Sequence, residues 1–75
     1  MKDYAEVSVQ ARSMLSGNAG NTDLYRALGY ALVEQEKPVE AVEALDNLFK
    51  HAQSGTLRPS DYTFYARAMH GLGRD

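Results

Sequence analysis

The sequence of 75 residues contains no cysteine, so neither a disulfide framework nor a thiolate metal site can stabilise it. Its apolar runs, such as residues 30–33, are only a few residues long, far below the roughly 20 that a membrane-spanning helix needs. It also lacks a basic excess, because ten acidic and eight basic side chains leave a net charge of -2. Nucleic acid and anionic membranes are therefore disfavoured as partners. A chain this short buries only about 60% of its unfolded surface, so stability must come from packing, with or without a partner chain.

We expect no signal peptide in the first residues, because acidic side chains stand at Asp3 and Glu6 where an export signal has an apolar core. Hydrophobic residues make up 44% and charged residues 24% of the chain, as in ordinary globular proteins. We therefore expect a folded, soluble chain, with the cytoplasm as the favoured compartment.

Apolar residues recur at spacings of three and four in four segments, the pattern of amphipathic helices. These predicted helices span residues 3–16, 23–35, 38–53 and 59–73. Gly17 is expected to end the first helix in the left-handed conformation, and Asn21 or Thr22 to cap the second. Pro38 and Pro59 suit the first turns of the third and fourth helices. No segment alternates like a strand over more than about five residues, so the sequence predicts an all-α fold.

The second and fourth helices share a spaced pattern. Tyr25-x-x-Leu28-Gly29-x-x-Leu32 recurs 37 residues later as Tyr62-x-x-Tyr65-Ala66-x-x-Met69. The third helix carries Ala41, 12 residues after Gly29, followed by Leu45 and Leu48. In these positions the chain resembles the tetratricopeptide repeat family, whose unit of about 34 residues has large and small residues at these spacings.

This resemblance implies antiparallel helical hairpins stacked in a right-handed superhelix. Residues 3–16 would be the second helix of a preceding repeat, 22–53 one full repeat and 59–73 the first helix of a following repeat. Residues 1–75 are then expected to form one domain and to be a piece of a longer array. Small residues let two helices cross closely, so Gly29 and Ala41 are predicted to face each other. The predicted residues of this crossing are Leu28, Gly29, Leu32, Ala41 and Leu45.

The resemblance also implies that ligands lie on the concave surface made by the first helix of each pair. By spacing, that surface would offer Asp23, Arg26, Tyr30, Val33, Thr63, Arg67 and His70. Arg26 and Arg67 suit a carboxylate, and Tyr30 suits a protein interface. The fourth helix is expected to have no covering helix and to expose an apolar strip of Tyr62, Tyr65, Ala66 and Met69.

Residues that could carry chemistry are sparse. His51 and His70 lie on different helices, with no second histidine at a spacing that shares a metal. Ser60 and Asp61, with His70, include the residue types of a hydrolytic triad, but they follow Pro59 at a helix start, where capping is expected. The loop 17–21 lacks the preceding strand and the following lysine of a phosphate site. We therefore predict no catalytic residue, no metal and no cofactor.

The leading hypothesis is a protein-interaction module that binds a peptide or a partner domain and is not an enzyme. The alternative is an obligate homodimer, a head-to-tail assembly, or a small helical chaperone or adaptor whose apolar strip is covered by another chain.

Overall fold

A computed structural model describes residues 3–18, 20–52 and 55–73 of the chain. These residues form four helices: α1 (Tyr4–Leu15), α2 (Thr22–Glu34), α3 (Pro38–His51) and α4 (Pro59–Gly71). None of the described residues is in a strand, so the predicted all-α fold is confirmed. The predicted bounds agree within about two residues, and Gln53, the predicted end of the third helix, lies outside the described residues.

The helices begin where the sequence supplies acceptors or proline. The Asp3 carboxylate accepts the backbone N–H of Glu6 at 3.1 Å, and the Asn21 side chain accepts that of Leu24 at 3.2 Å. Asn21, one of the two predicted candidates, is therefore the cap of α2. Pro38 and Pro59 occupy the first positions of α3 and α4, as predicted.

The helix ends differ in one respect from the prediction. Gly73 follows α4 with a φ of +75° and ends it in the left-handed conformation. The same expectation was wrong for Gly17, since the described residues with positive φ are Glu36, Gly55 and Gly73. The backbone N–H of Gly17 donates to Met14 O at 3.1 Å, so the chain leaves α1 through a tighter right-handed turn and needs no reversal there.

The turn between α2 and α3 is short and sharp. Glu36 takes a φ of +59°, and its N–H donates to Val33 O while that of Lys37 donates to Leu32 O, both at 3.0 Å. This pair of bonds is the Schellman arrangement, usually built around glycine. The turn folds α3 back along α2 within three residues.

The α2–α3 pair forms the centre of the core. Leu32, Leu45 and Leu48 are fully buried. A Cβ atom added at Gly29 would lie 2.5 Å from Leu45 Cδ2, so α3 rests directly on the glycine backbone. The atoms nearest to Gly29 therefore belong to Leu45, and its predicted contact with Ala41, which is fully buried in the same core, stays a prediction.

The outer helices pack on this pair differently. α1 buries the small side chains of Ser8 and Ala11. The Gln35 amide donates to Tyr4 O at 3.0 Å and to Ser8 Oγ at 3.2 Å, which ties the end of α2 to α1. α4 contacts both α3 and α2. Among the residues described, no helix is long and apolar enough to cross a membrane.

Candidate interaction site

An apolar groove runs over α2 between α1 and α4. Its volume is about 500 Å³, within the range of small-ligand and peptide pockets. We call it the α2 groove, and its lining residues are Tyr4, Val7, Ala27, Tyr30, Ala31, Glu34 and Phe64. Ala27 is exposed on its floor, so the groove is open to solvent there. Six of the seven lining residues are apolar or aromatic, which suits an apolar segment of a partner.

Stacked rings form the wall of the α2 groove on the α4 side. The rings of Tyr30 and Phe64 have their centroids 3.9 Å apart with an angle of 9° between the planes. The Arg67 guanidinium lies 5.0 Å from the centre of the Phe64 ring and donates to Glu34 at 3.0 Å. The ring stack and the ion pair cross from α2 to α4, so the position of α4 sets the shape of this wall.

A buried ion pair holds α4 beneath this wall. Arg26 Nε donates to Asp61 Oδ1 at 2.8 Å and Arg26 Nη2 to Asp61 Oδ2 at 3.0 Å, a bidentate geometry. Arg26 also donates to Thr56 O and to the Asp23 carboxylate, both at 3.0 Å. Asp61 is 0% exposed and Arg26 8% exposed.

The Asp61 carboxylate accepts further bonds. Asp61 Oδ2 accepts the backbone N–H of Arg58 at 2.8 Å, which caps α4 as predicted. The Tyr30 hydroxyl donates to Asp61 Oδ1 and lies 2.8 Å from the Ser60 hydroxyl. One side chain therefore closes a helix, pairs with a buried arginine and orients the tyrosine of the groove wall.

The electrostatics favour the charged pair. Burial by itself raises the pKa of Asp61, but the hydrogen bonds from Arg26, Tyr30 and the Arg58 backbone outweigh it and hold the pKa below its ordinary value. The hydrogen bond to Asp61 raises the pKa of Arg26. Burial, with the hydrogen bond to Asp61, raises the pKa of Tyr30. The pair stays charged at neutral pH, and its carboxylate is fully occupied.

The residues predicted for a concave surface do not share one exposed face. Arg26 is buried and Val33 is 9% exposed, whereas Asp23, Thr63, Arg67 and His70 are exposed and Tyr30 is half-buried. Arg26 and Arg67 each hold a carboxylate, as their chemistry suggests, but these carboxylates belong to Asp61 and Glu34 of the same chain. The prediction that Arg26 is available to a partner was wrong, because its guanidinium satisfies the buried Asp61.

A second cavity gathers three of the predicted residues. Its volume is about 340 Å³, and its lining residues are Val33, Glu36, Pro38, Arg67, Ala68, His70 and Gly71. The predicted surface is therefore divided: Tyr30 belongs to the α2 groove, and Val33, Arg67 and His70 surround this second cavity. Thr63 lines neither and donates to Pro59 O at 3.3 Å.

The predicted apolar strip of α4 is partly covered. Tyr65 packs edge-on against Phe49 of α3, with centroids 5.2 Å apart. Tyr62 stacks on the same ring at 5.4 Å but is 59% exposed. Ala66 is exposed and Met69 half-buried. The open part of the strip is therefore Tyr62, Ala66 and Met69.

Sequence reasoning did not identify the Phe64 wall or the Arg26–Asp61 pair. Phe64 lies between Tyr62 and Tyr65, which belong to the predicted apolar strip of α4. No periodic pattern of apolar residues indicates that the side chain of Phe64 points towards α2. The ion pair joins residues 35 positions apart, and no short motif marks such a distance.

In the described parts of the chain, no three His, Cys, Asp or Glu side chains are placed to hold a metal ion. No protein-family model, no curated protein and no solved structure matches this chain.

Proposed function

We propose that the chain is a helical-repeat module of the tetratricopeptide type that binds a segment of a partner protein in the α2 groove. The observation that carries the proposal is the groove itself, an open apolar channel walled by the stacked rings of Tyr30 and Phe64. Apolar contact with a few fixed polar groups is how peptide-binding grooves obtain affinity and orientation.

The polar groups of the groove support a binding role over catalysis. Asp61, the most buried carboxylate of the site, is neutralised by Arg26 and accepts bonds on both oxygens, so it has no capacity to remove a proton from a substrate. The Glu34 carboxylate at one end is paired with Arg67. These two ion pairs fix the walls of the α2 groove, and its apolar floor remains as the contact surface.

The test selects peptides of about 12–16 residues from a random display library with the immobilised chain and measures their affinity by fluorescence anisotropy. Ala27→Asp places a charge on the exposed floor of the groove. It should weaken the selected peptides by about tenfold or more, because a charge in an apolar contact costs over 1.4 kcal/mol.

Ala5→Asp is the matched control, because Ala5 is also an exposed alanine, lies on α1 and does not line the groove. It should leave the affinity unchanged. Selected peptides that bind the Ala27→Asp variant as tightly as the original chain, or a library that yields no binders, would contradict the proposal.

A further inference from the structure

Two helices leave apolar side chains open on faces with the same spacing. On α1, Val7 is 38% and Met14 53% exposed, two turns apart. On α4, Tyr62 and Met69 have the same separation, with the exposed Ala66 between them. A spacing of seven residues places both side chains on one line along a helix, where a second helix can pack.

The exposed face of α4 resembles a face of α2 on which α3 already packs. On α2 the small residue Gly29 lies between Leu28 and Leu32 and receives Leu45 of α3. On α4 the small residue Ala66 lies between Tyr65 and Met69, and its exposure shows that no described side chain covers it. The face therefore suits an antiparallel helix, as its counterpart on α2 does.

The charges at the ends of the two helices are complementary. The start of α1 carries the exposed acids Asp3, which is its N-cap, and Glu6. The last turns of α4 carry His70 and Arg67, whose side chain pairs with Glu34 and is still 51% exposed. Antiparallel packing of α1 on α4 brings the acidic end next to the basic end.

We infer that the Tyr62–Ala66–Met69 face of α4 binds the Val7–Met14 face of α1 in a second copy of this chain. The contact is heterologous, because it joins two different surfaces, so each bound copy still presents one unused face and the assembly grows by addition. The inference goes beyond the proposed peptide site and does not require the ring pair that walls the α2 groove.

The experiment measures the weight-average mass by sedimentation over about three decades of concentration, up to the millimolar range. The unchanged chain should grow past the dimer. Met14→Asp and Met69→Asp should each remain monomeric, since each places a charge in the contact. A mixture of these two variants should form a one-to-one dimer and no larger species, because each variant supplies the face that the other has lost. Val9→Asp, at a 64% exposed position on another side of α1, should assemble like the unchanged chain.

The circular dichroism of each variant checks that it has kept its helices. Ala66→Asp, at an exposed position of the same face, replaces Met69→Asp if that variant loses helicity. The inference is overturned if the unchanged chain is monomeric throughout, or if the mixed variants stay monomeric. It is also overturned if only one of the two aspartate variants blocks growth, since that result indicates a contact between two α4 or two α1 faces.

Discussion

The interactions that hold α2 and α3 together differ from those that attach α4. Between α2 and α3, Leu32, Leu45 and Leu48 are fully buried, and α3 rests on the backbone of Gly29. In α4 the buried residues are Asp61 and Ala68, and the first of these is a carboxylate. Apolar packing makes the one contact, whereas the other combines a buried ion pair with contacts between aromatic rings.

The two kinds of interaction have different effects, because one stabilises the α2–α3 pair and the other fixes the position of α4. Burial of apolar surface is favourable in any orientation, so it stabilises the pair without fixing a register by itself. A bidentate ion pair is directional, but the loss of hydration of both charges offsets most of its attraction. The Arg26–Asp61 pair therefore adds little net stability for its number of bonds. Its effect is to hold α4 where Phe64 meets Tyr30 and the α2 groove has a wall.

The largest effect is expected on removing one partner of the pair. Asp61→Ala leaves Arg26 buried without its partner and should lower the free energy of unfolding by about 3–5 kcal/mol, as measured by urea denaturation. Asp23→Ala is the matched control, because its 84% exposed carboxylate binds the same guanidinium, and it should cost about 0–1 kcal/mol. Equal losses in both variants would contradict the distinction between the two regions. Replacing both partners, as Arg26→Met with Asp61→Leu, should restore part of the stability.

Lowering the pH should weaken the contact of α4 with α2 by less than the substitution Asp61→Ala does. The folded-state pKa of Asp61 is lower than its unfolded-state value. Its contribution is therefore complete above the unfolded pKa, about 4, and is lost as the pH falls through the folded pKa. Urea denaturation from about pH 7 to about pH 2 should show the difference between the original chain and Asp61→Asn shrinking with acid. A difference that is constant over this range would show that the carboxylate charge is not what holds α4.

A larger side chain at Gly29 tests the apolar contact between α2 and α3. Gly29→Leu forces a side chain into the space of Leu45 and should cost about 1–3 kcal/mol in thermal or urea unfolding. Ala27→Leu, two residues away on the exposed side of α2, should change stability by less than about 0.5 kcal/mol. An unchanged melt for Gly29→Leu would mean that α3 does not lie on this glycine.

The smallest effect is expected at the turn. Glu36 has a left-handed backbone that costs a non-glycine residue about 1–2 kcal/mol, and glycine removes that cost while it loses about 0.4–1 kcal/mol of chain entropy. Glu36→Gly should therefore stabilise the chain by about 0.5–1 kcal/mol. Glu43→Gly, at an exposed position inside α3, should instead cost about 1 kcal/mol. If both variants are destabilised equally, the backbone at Glu36 is not strained.

The parts of this fold that follow from local chemistry were predictable. Helix periodicity, the two prolines and the Asn21 cap act within a few residues, so the sequence shows them directly. The position of Gly29 under Leu45 was not predictable from spacing alone. It depends on the left-handed turn at Glu36, which the sequence does not mark because glycine is absent there.

The candidate site was predicted less well, for a related reason. Tyr30 was identified because its position on α2 is fixed by periodicity. Arg26 was assigned to the surface on the same ground, but its burial depends on Asp61, which meets it only after α4 has docked. A charged side chain is expected at the surface unless a partner is known, and here the partner lies 35 residues away in the chain.

The three-residue turn at Glu36 also has a consequence for the order of folding. It joins α2 and α3 with a minimal loop, so the contact of Gly29 with Leu45 closes only a short stretch of chain. The Arg26–Asp61 pair closes a loop more than twice as long and requires both charged groups to be aligned as they leave water. Short-range contacts form at lower entropic cost and are made early in folding. The α2–α3 hairpin should therefore form first and act as the template on which α4 docks, so the α2 groove is completed last.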